Sequence, residues 1–393
     1  MKVKIINHSL LTLILFFTAA ISLKSTAQTA GITRCEALGI PPDQCINVVS
    51  TAVPLLRATS DARSGAMGDV GIAISPDANA LFWNNAKLAF IEDPVGVSIS
   101  FSPWLRTLGI TDIYLTNLSG YYKPDELQSI SGSLRYFSFG SITFTDITGG
   151  TIIDYRPNEF YLDFGYSRKL SDVLSTGLTL KYVHSDLASI TLSDGTDLKV
   201  GRAIAADISF YYTNYISLGS TDAKLSLGLV ASNIGNKISY TDDNTDKDFL
   251  PTNLGIGAAI DFDFDQYNKF TLAYDINKLM APTPQDDDSQ RDLPAISGIF
   301  ASFGDASFQE EMQEIMHSIG FEYWYDNIFA LRAGYFHEHK LKGNRKYFTI
   351  GAGVKYNIFG LNISYLAPTT GQHHPLARTI RFSLNFDFND LSS

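Results

Sequence analysis

Residues 378–388 read RTIRFSLNFDF, and the alternation within them narrows what the chain can fold into. Side chains along a strand point to opposite faces in turn. Ile380, Phe382, Leu384, Phe386 and Phe388 therefore share one face, and Arg381, Ser383, Asn385 and Asp387 share the other. One face suits lipid and the other water, whereas the edge strand of a soluble sandwich would carry blunting charges on its apolar side. The same unit recurs as FYLDFGYSRKL (160–170), LSTGLTLKYVHS (174–185), AKLSLGLVASNI (223–234) and YFTIGAGVKYNI (347–358). Each has the length of a tilted strand that crosses a bilayer. Tyr161, Tyr166, Tyr182, Tyr323, Trp324, Tyr325, Tyr335, Tyr356 and Tyr365 fall near segment ends, as interfacial girdles require.

Composition agrees. With 45% hydrophobic residues, 26 Phe and 20 Tyr but only 18% charged residues, the chain is too polar for a helical membrane protein and unusually aromatic for a soluble one. A mean hydropathy of +0.01 is what alternating faces produce. The net charge of −11 argues against nucleic acid as a partner, which would demand a basic face.

The expected fold is all-β, a fourteen-stranded antiparallel transmembrane barrel. Its strands are read at 95–105, 110–121, 128–147, 158–170, 173–188, 200–213, 222–235, 251–263, 267–278, 313–325, 327–338, 345–357, 359–367 and 378–388. An even number closes a single-chain bacterial barrel, so Gly140 is read as a bulge inside one long strand 128–147 rather than as a hairpin turn. Connections after odd strands are mostly long and those after even strands mostly short. That asymmetry predicts external loops at one end and periplasmic turns at the other, with both termini in the periplasm of an outer membrane.

Residues 1–27 have a basic start, a short apolar run and small residues before Gln28, the pattern of a cleaved signal peptide. Export would place Cys35 and Cys45 in an oxidising space, where a disulfide closing the short loop around Pro41 and Pro42 is expected. Residues 28–92 lack alternation and form a plug segment ahead of the barrel, 93–393. A short helix is expected there with Asp77 as its cap, and the density of Gly and Ala favours close packing inside the lumen.

Within that segment, SGAMGDVGIAISPDANALFWNNAKLAF (64–90) carries Gly65, Gly68 and Gly71. A dinucleotide fingerprint would need an apolar strand before these glycines and a helix opening on the last one, and neither is present. Instead, Asp77, Ala78, Asn84, Ala86 and Leu88 resemble the plug signature of FadL-type fatty acid transporters. Asn85 and Lys87 stand where that family usually has Pro and Gly, a departure from a transport-competent hatch. The wider string, with Asp61, Arg63, Gly65, Met67, Gly68, Asp69, Gly71, Asn84 and Lys87, is more similar to the PorV branch of these barrels. The resemblance implies an outer-membrane protein of the type IX secretion system. Such a protein would receive cargo by its C-terminal signal domain from a large translocon barrel and pass it to a surface sortase and attachment complex. A FadL-like channel for hydrophobic small molecules is the alternative.

Enzymatic chemistry is not expected: there is no G-x-S-x-G elbow and no H-E-x-x-H. No cofactor or metal is expected either. His337/His339 and His373/His374 read as loop histidines, and Asp242, Asp243, Asp246 and Asp248 lack the central glycine and closing glutamate of a calcium loop. The stretch 279–312 differs, because an acidic run is followed by Leu293, Ile296, Ile299, Phe300, Phe303 and Phe308. So long a loop is usually functional or disordered, and its apolar half needs the barrel rim or a partner to cover it. Contact with translocon or cargo is one reading, and a self-packed lid is the other.

Overall fold

The computed structural model describes residues 39–41 and 46–388, except 107–108, 146–147, 190–196, 219–220, 242–246, 286–288 and 370–377. The signal peptide, Cys35, Cys45, His373, His374 and the acidic residues Asp242, Asp243 and Asp246 lie outside these residues. Fourteen strands close into one antiparallel barrel. They begin with β1 (Val95–Pro103), β2 (Ile113–Asp125) and β3 (Gln128–Phe139). Next come β6 (Asn158–Lys169), β7 (Leu174–Asp186), β8 (Gly201–Leu218), β9 (Thr221–Gly235), β10 (Asn253–Asp263) and β11 (Asn268–Leu279). The wall is completed by β12 (Ile315–Tyr325), β13 (Phe329–His337), β14 (Lys346–Tyr356), β15 (Phe359–Pro368) and β16 (Ile380–Phe388). β1 seals against β16 with Val95 opposite Phe388 and Phe101 opposite Phe382.

Alternation sets the wall. On β16, Ile380, Phe382 and Leu384 are exposed outward while Arg381 and Ser383 are buried inward. Two of the expected girdle aromatics depart from this scheme. Tyr161 is buried in the lumen with its hydroxyl on Glu159, 2.5 Å away, and Trp324 faces inward beneath the Arg332 guanidinium. A strand's register, and not the aromatic character of a residue, decides which face it meets.

Gly140 is not a bulge. It takes a left-handed φ of +81° beside Asp112, and β3 ends at Phe139. The chain then makes a separate two-stranded hairpin, β4 (Ile142–Thr145) and β5 (Thr151–Tyr155), before re-entering the wall at β6. Strand count was even either way, because the hairpin adds no member to the barrel.

Residues 46–94 do not stay at one end. Asn47 bonds to the loop between β11 and β12, and the Ala52 amide donates to Phe249 O at 3.0 Å in the loop after β9, both on the long-loop side. Val53 and Leu56 pack with Tyr161, Val183 and Leu250 just below that rim. At the far end, Leu88 and Ile91 pack on Tyr121, and Lys123 Nζ donates to Ile91 O at 2.5 Å. The segment thus threads the lumen from the long-loop end to the short-turn end, where β1 starts and β16 finishes. Residues 46–57 lie on the long-loop side, whereas the amino-terminus, expected on the short-turn side, lies outside the described residues.

Candidate functional site

The plug is held by backbone contact and buried charge. Asp61 caps the short helix α1 (Ala62–Ala66), accepting from the Ser64 amide at 2.8 Å and from Trp83 Nε1 at 2.8 Å. Gly68, at φ +72°, lies flat against the wall. A Cβ built on Gly334 would meet Gly68 N at 2.1 Å, and one on Gly68 would meet Tyr335 N at 2.6 Å. The glycines of this stretch are therefore contact points with the barrel or with the plug itself, with no phosphate cradle among them. Gly65 sits under Arg381 and Gly71 under the Trp83 ring. The amides of Gly71 and Ile72 both donate to Asp275, at 2.7 and 2.9 Å. Lys87 Nζ donates to Gly71 O at 2.5 Å, and Asp69 accepts from the Tyr347 hydroxyl.

Arg63 forms a fork with Glu322 (3.0 and 2.7 Å) and also reaches Asp77 at 3.2 Å. Glu322 accepts in turn from Arg332 Nε at 2.6 Å, its cross-strand neighbour on β13. Asp77 is thus an ion-pair partner of Arg63 and bonds the Asn79 amide, while the helix α2 (Ala80–Trp83) starts after Asn79 and has no side-chain cap. Asn84 ends α2 and caps the next turn through the Ala86 amide at 3.0 Å. The sequence motif located the plug half of this network. Glu322, Arg332 and Asp275 escaped it, although a charge at an inward position between lipid-facing apolar residues, as Glu322 between Phe321 and Tyr323, is the signal that marks them.

The second feature is the β11–β12 connection. Helix α3 (Ala295–Ala301) seats Gly298 against the Phe249 ring, and Lys237 Nζ lies 4.6 Å above that ring. Its opposite side carries Ile296 and Phe300, followed by Phe303, and these are 54%, 71% and 53% exposed. Leu293 and Ile299 are half-buried. Helix α4 (Phe308–Gln313) is capped by Ser307, whose hydroxyl accepts from the Glu310 amide. It turns its acids inward: Lys278 pairs with Glu311 and Glu314 at 2.8 and 2.5 Å, and Lys342 with Glu310 and Glu314 at 2.6 and 3.0 Å. Burial pushes the Asp305 carboxyl up to about 7, against the pull of the Thr283 amide bonded to it. The two lysines beside Glu314 overcome burial and hold its carboxyl below the usual range. The loop is therefore clamped to the rim by its polar side, with Ile296, Phe300, Phe303, Phe308 and also Met312 left facing out. A self-packed lid would bury those side chains.

The barrel is similar to that of the toluene transporter TodX of Pseudomonas putida, at 12% identity and a TM-score of 0.50, covering 85% of this chain and 99% of TodX. The Ralstonia pickettii toluene transporter TbuX gives 12% identity, coverages of 85% and 99%, and a TM-score of 0.49. A Pseudomonas aeruginosa FadL homologue gives 11%, coverages of 87% and 100%, and 0.44. At such identities the likeness to TodX is one of fold. No curated protein matches the sequence. The family described as type IX secretion system protein PorV matches residues 42–286, which take in the plug, strands β1 to β11 and the start of the long loop. With well over half of its length matched, this chain belongs to the PorV family, outer-membrane components of the type IX secretion system.

Proposed function

We propose that this protein binds the C-terminal signal domains of secreted cargo at the large translocon barrel and hands them to the surface sortase and attachment complex. The observation that carries this reading is the apolar ridge formed by Ile296 and Phe300 of α3 and by Phe303 just after it, exposed on a loop whose polar side is clamped to the rim by Lys278 and Lys342. An uncovered apolar patch of this kind marks a protein contact. In this reading the long-loop end faces the cell exterior, as long connections do in such barrels. The role is one of binding without chemistry.

Lumen packing supports a carrier over a small-molecule channel. The plug runs the full depth of the barrel and its charges are bonded to the wall at Glu322 and Asp275. The test is the triple variant Ile296→Ser, Phe300→Ser, Phe303→Ser, purified through a tag on a linker after Ser393. Co-purifying cargo and translocon should fall about tenfold or more, since only part of the roughly 1.5–3 kcal/mol that each of these exposed side chains contributes when fully covered is needed to reach the ~1.4 kcal/mol of a tenfold change. Undiminished co-purification from a correctly folded variant would remove α3 from the contact.

A further inference from the structure

A cavity of about 480 Å³ opens on the outer wall, between α4, which contributes Phe308 and Met312, and the rim histidines His317, His337 and His339. The strand register explains its chemistry. His317 stands opposite His337, and His337 opposite Lys346, so the three form one row across β12, β13 and β14. The row faces outward, because the alternate residues Met316, Phe336 and Tyr347 are buried together inside. One rung nearer the middle of the membrane, Tyr274, Ile319, Tyr335 and Phe348 form a second outward row in the same register. Tyr335 and Phe348 rings lie 4.8 Å apart, and the Tyr274 hydroxyl meets His317 Nδ1 at 2.7 Å.

Aromatic belts sit at headgroup level, so a row of N–H donors one rung beyond the belt lies where lipid phosphates lie. The acids of α4 beside the cavity, Glu310 and Glu311, and Glu314 after it are already paired with Lys278 and Lys342. Lys340 and Lys346 have no carboxylate partner among the described residues, and the acid of this turn, Glu338, is turned inward onto Arg345 at 2.7 Å. Burial and the neighbouring Lys346, Lys340 and Lys342 push the His339 imidazole below its usual range.

We propose that this cavity holds the phosphorylated headgroup of an outer-leaflet lipid. The phosphate takes hydrogen bonds from His337 and His339, Lys346 adds its charge from the next position of the same row, Phe308 and Met312 roof the site, and an acyl chain descends over Tyr335 and Phe348. The leaflet follows from the exterior placement of the long loops given above. The basic site itself does not depend on cargo binding.

Native mass spectrometry of the full detergent-extracted protein tests this, with diphosphorylated lipid A, phosphatidylcholine and inorganic phosphate as probes. Lipid A should be retained about tenfold over phosphatidylcholine, a difference of about 1.4 kcal/mol. The variant His337→Gln, His339→Gln, Lys346→Gln should abolish that preference while keeping the compact gel mobility of the folded barrel and its co-purified cargo. Equal retention of phosphatidylcholine, or lipid A binding untouched by the triple variant, would overturn the proposal. Competition by millimolar inorganic phosphate that displaces lipid A completely would assign a free-anion site instead. Loss of translocon from the triple variant would make this face a protein contact. If wild-type protein retains lipid A but no cargo, the cargo reading fails and the lipid site stands.

Discussion

Replacing Glu322 by glutamine is expected to loosen the plug and to lower the temperature at which the barrel unfolds. The substitution keeps the shape of the side chain but leaves Arg63 and Arg332 facing each other without the carboxylate that both now share. Glu322 and Arg332 are almost fully buried, at 1% and 4% exposure, so water cannot replace the lost partner. Breaking a buried pair by removing one member costs roughly 3–5 kcal/mol. Arg63 keeps only Asp77 and the Ser75 carbonyl, both within the plug, while Asp275 still holds the Gly71 and Ile72 amides to the wall, so the plug should swing on that remaining attachment rather than leave the lumen. Two measurements report this: the temperature at which the folded barrel loses its compact mobility in detergent gels, and conductance in a planar bilayer. An earlier transition together with new channel openings is the predicted outcome. A variant as heat-resistant and as silent as the wild type would mean that the cluster does not hold the plug.

The glycine contact should be equally intolerant. Gly334→Val places a side chain where Gly68 N and the Met67 carbonyl carbon already stand, both 2.1 Å from the new Cβ. These are backbone atoms on both sides, so no rotamer change relieves the clash, and the cost should reach or exceed the 1–3 kcal/mol typical of an overpacked core. Gly132→Val is the matched control, since its Cβ would meet only Asp163 O, at 3.7 Å. Limited proteolysis should cut the plug near residues 64–72 in the Gly334 variant and spare it in the control. Protection of both would show that the plug can shift along the wall at little cost.

Most of the wall was legible because a bilayer imposes a strict period. A residue one step out of register moves from lipid to lumen, so the alternation in segments such as 347–358 had to coincide with β14 (Lys346–Tyr356), and it did. Strand β4 of the hairpin alternates just as well without belonging to the wall, and nothing in ITFT distinguishes the two cases. Only the left-handed turn at Gly140 separates them. The path of the plug was hidden for a different reason. Its direction depends on where Asn47, Ala52 and Ile91 find partners far away in sequence, and such pairings have no local period. The same holds for the candidate site. The apolar character of Ile296, Phe300 and Phe303 was visible, whereas their exposure follows from Gly298 on Phe249 and from the lysine clamp on α4, contacts that span tens of residues.

The central claim is that the long-loop ridge receives partner proteins. The most direct measurement is photo-crosslinking in living cells from an unnatural residue at Phe300, with the same probe at Phe264 in the short β10–β11 turn, which is 63% exposed but lies at the opposite end of the barrel. Mass spectrometry should find cargo signal domains and the translocon attached at position 300 and neither at 264. Adducts from 264 alone, or none from 300 in cells that are actively secreting, would contradict the account.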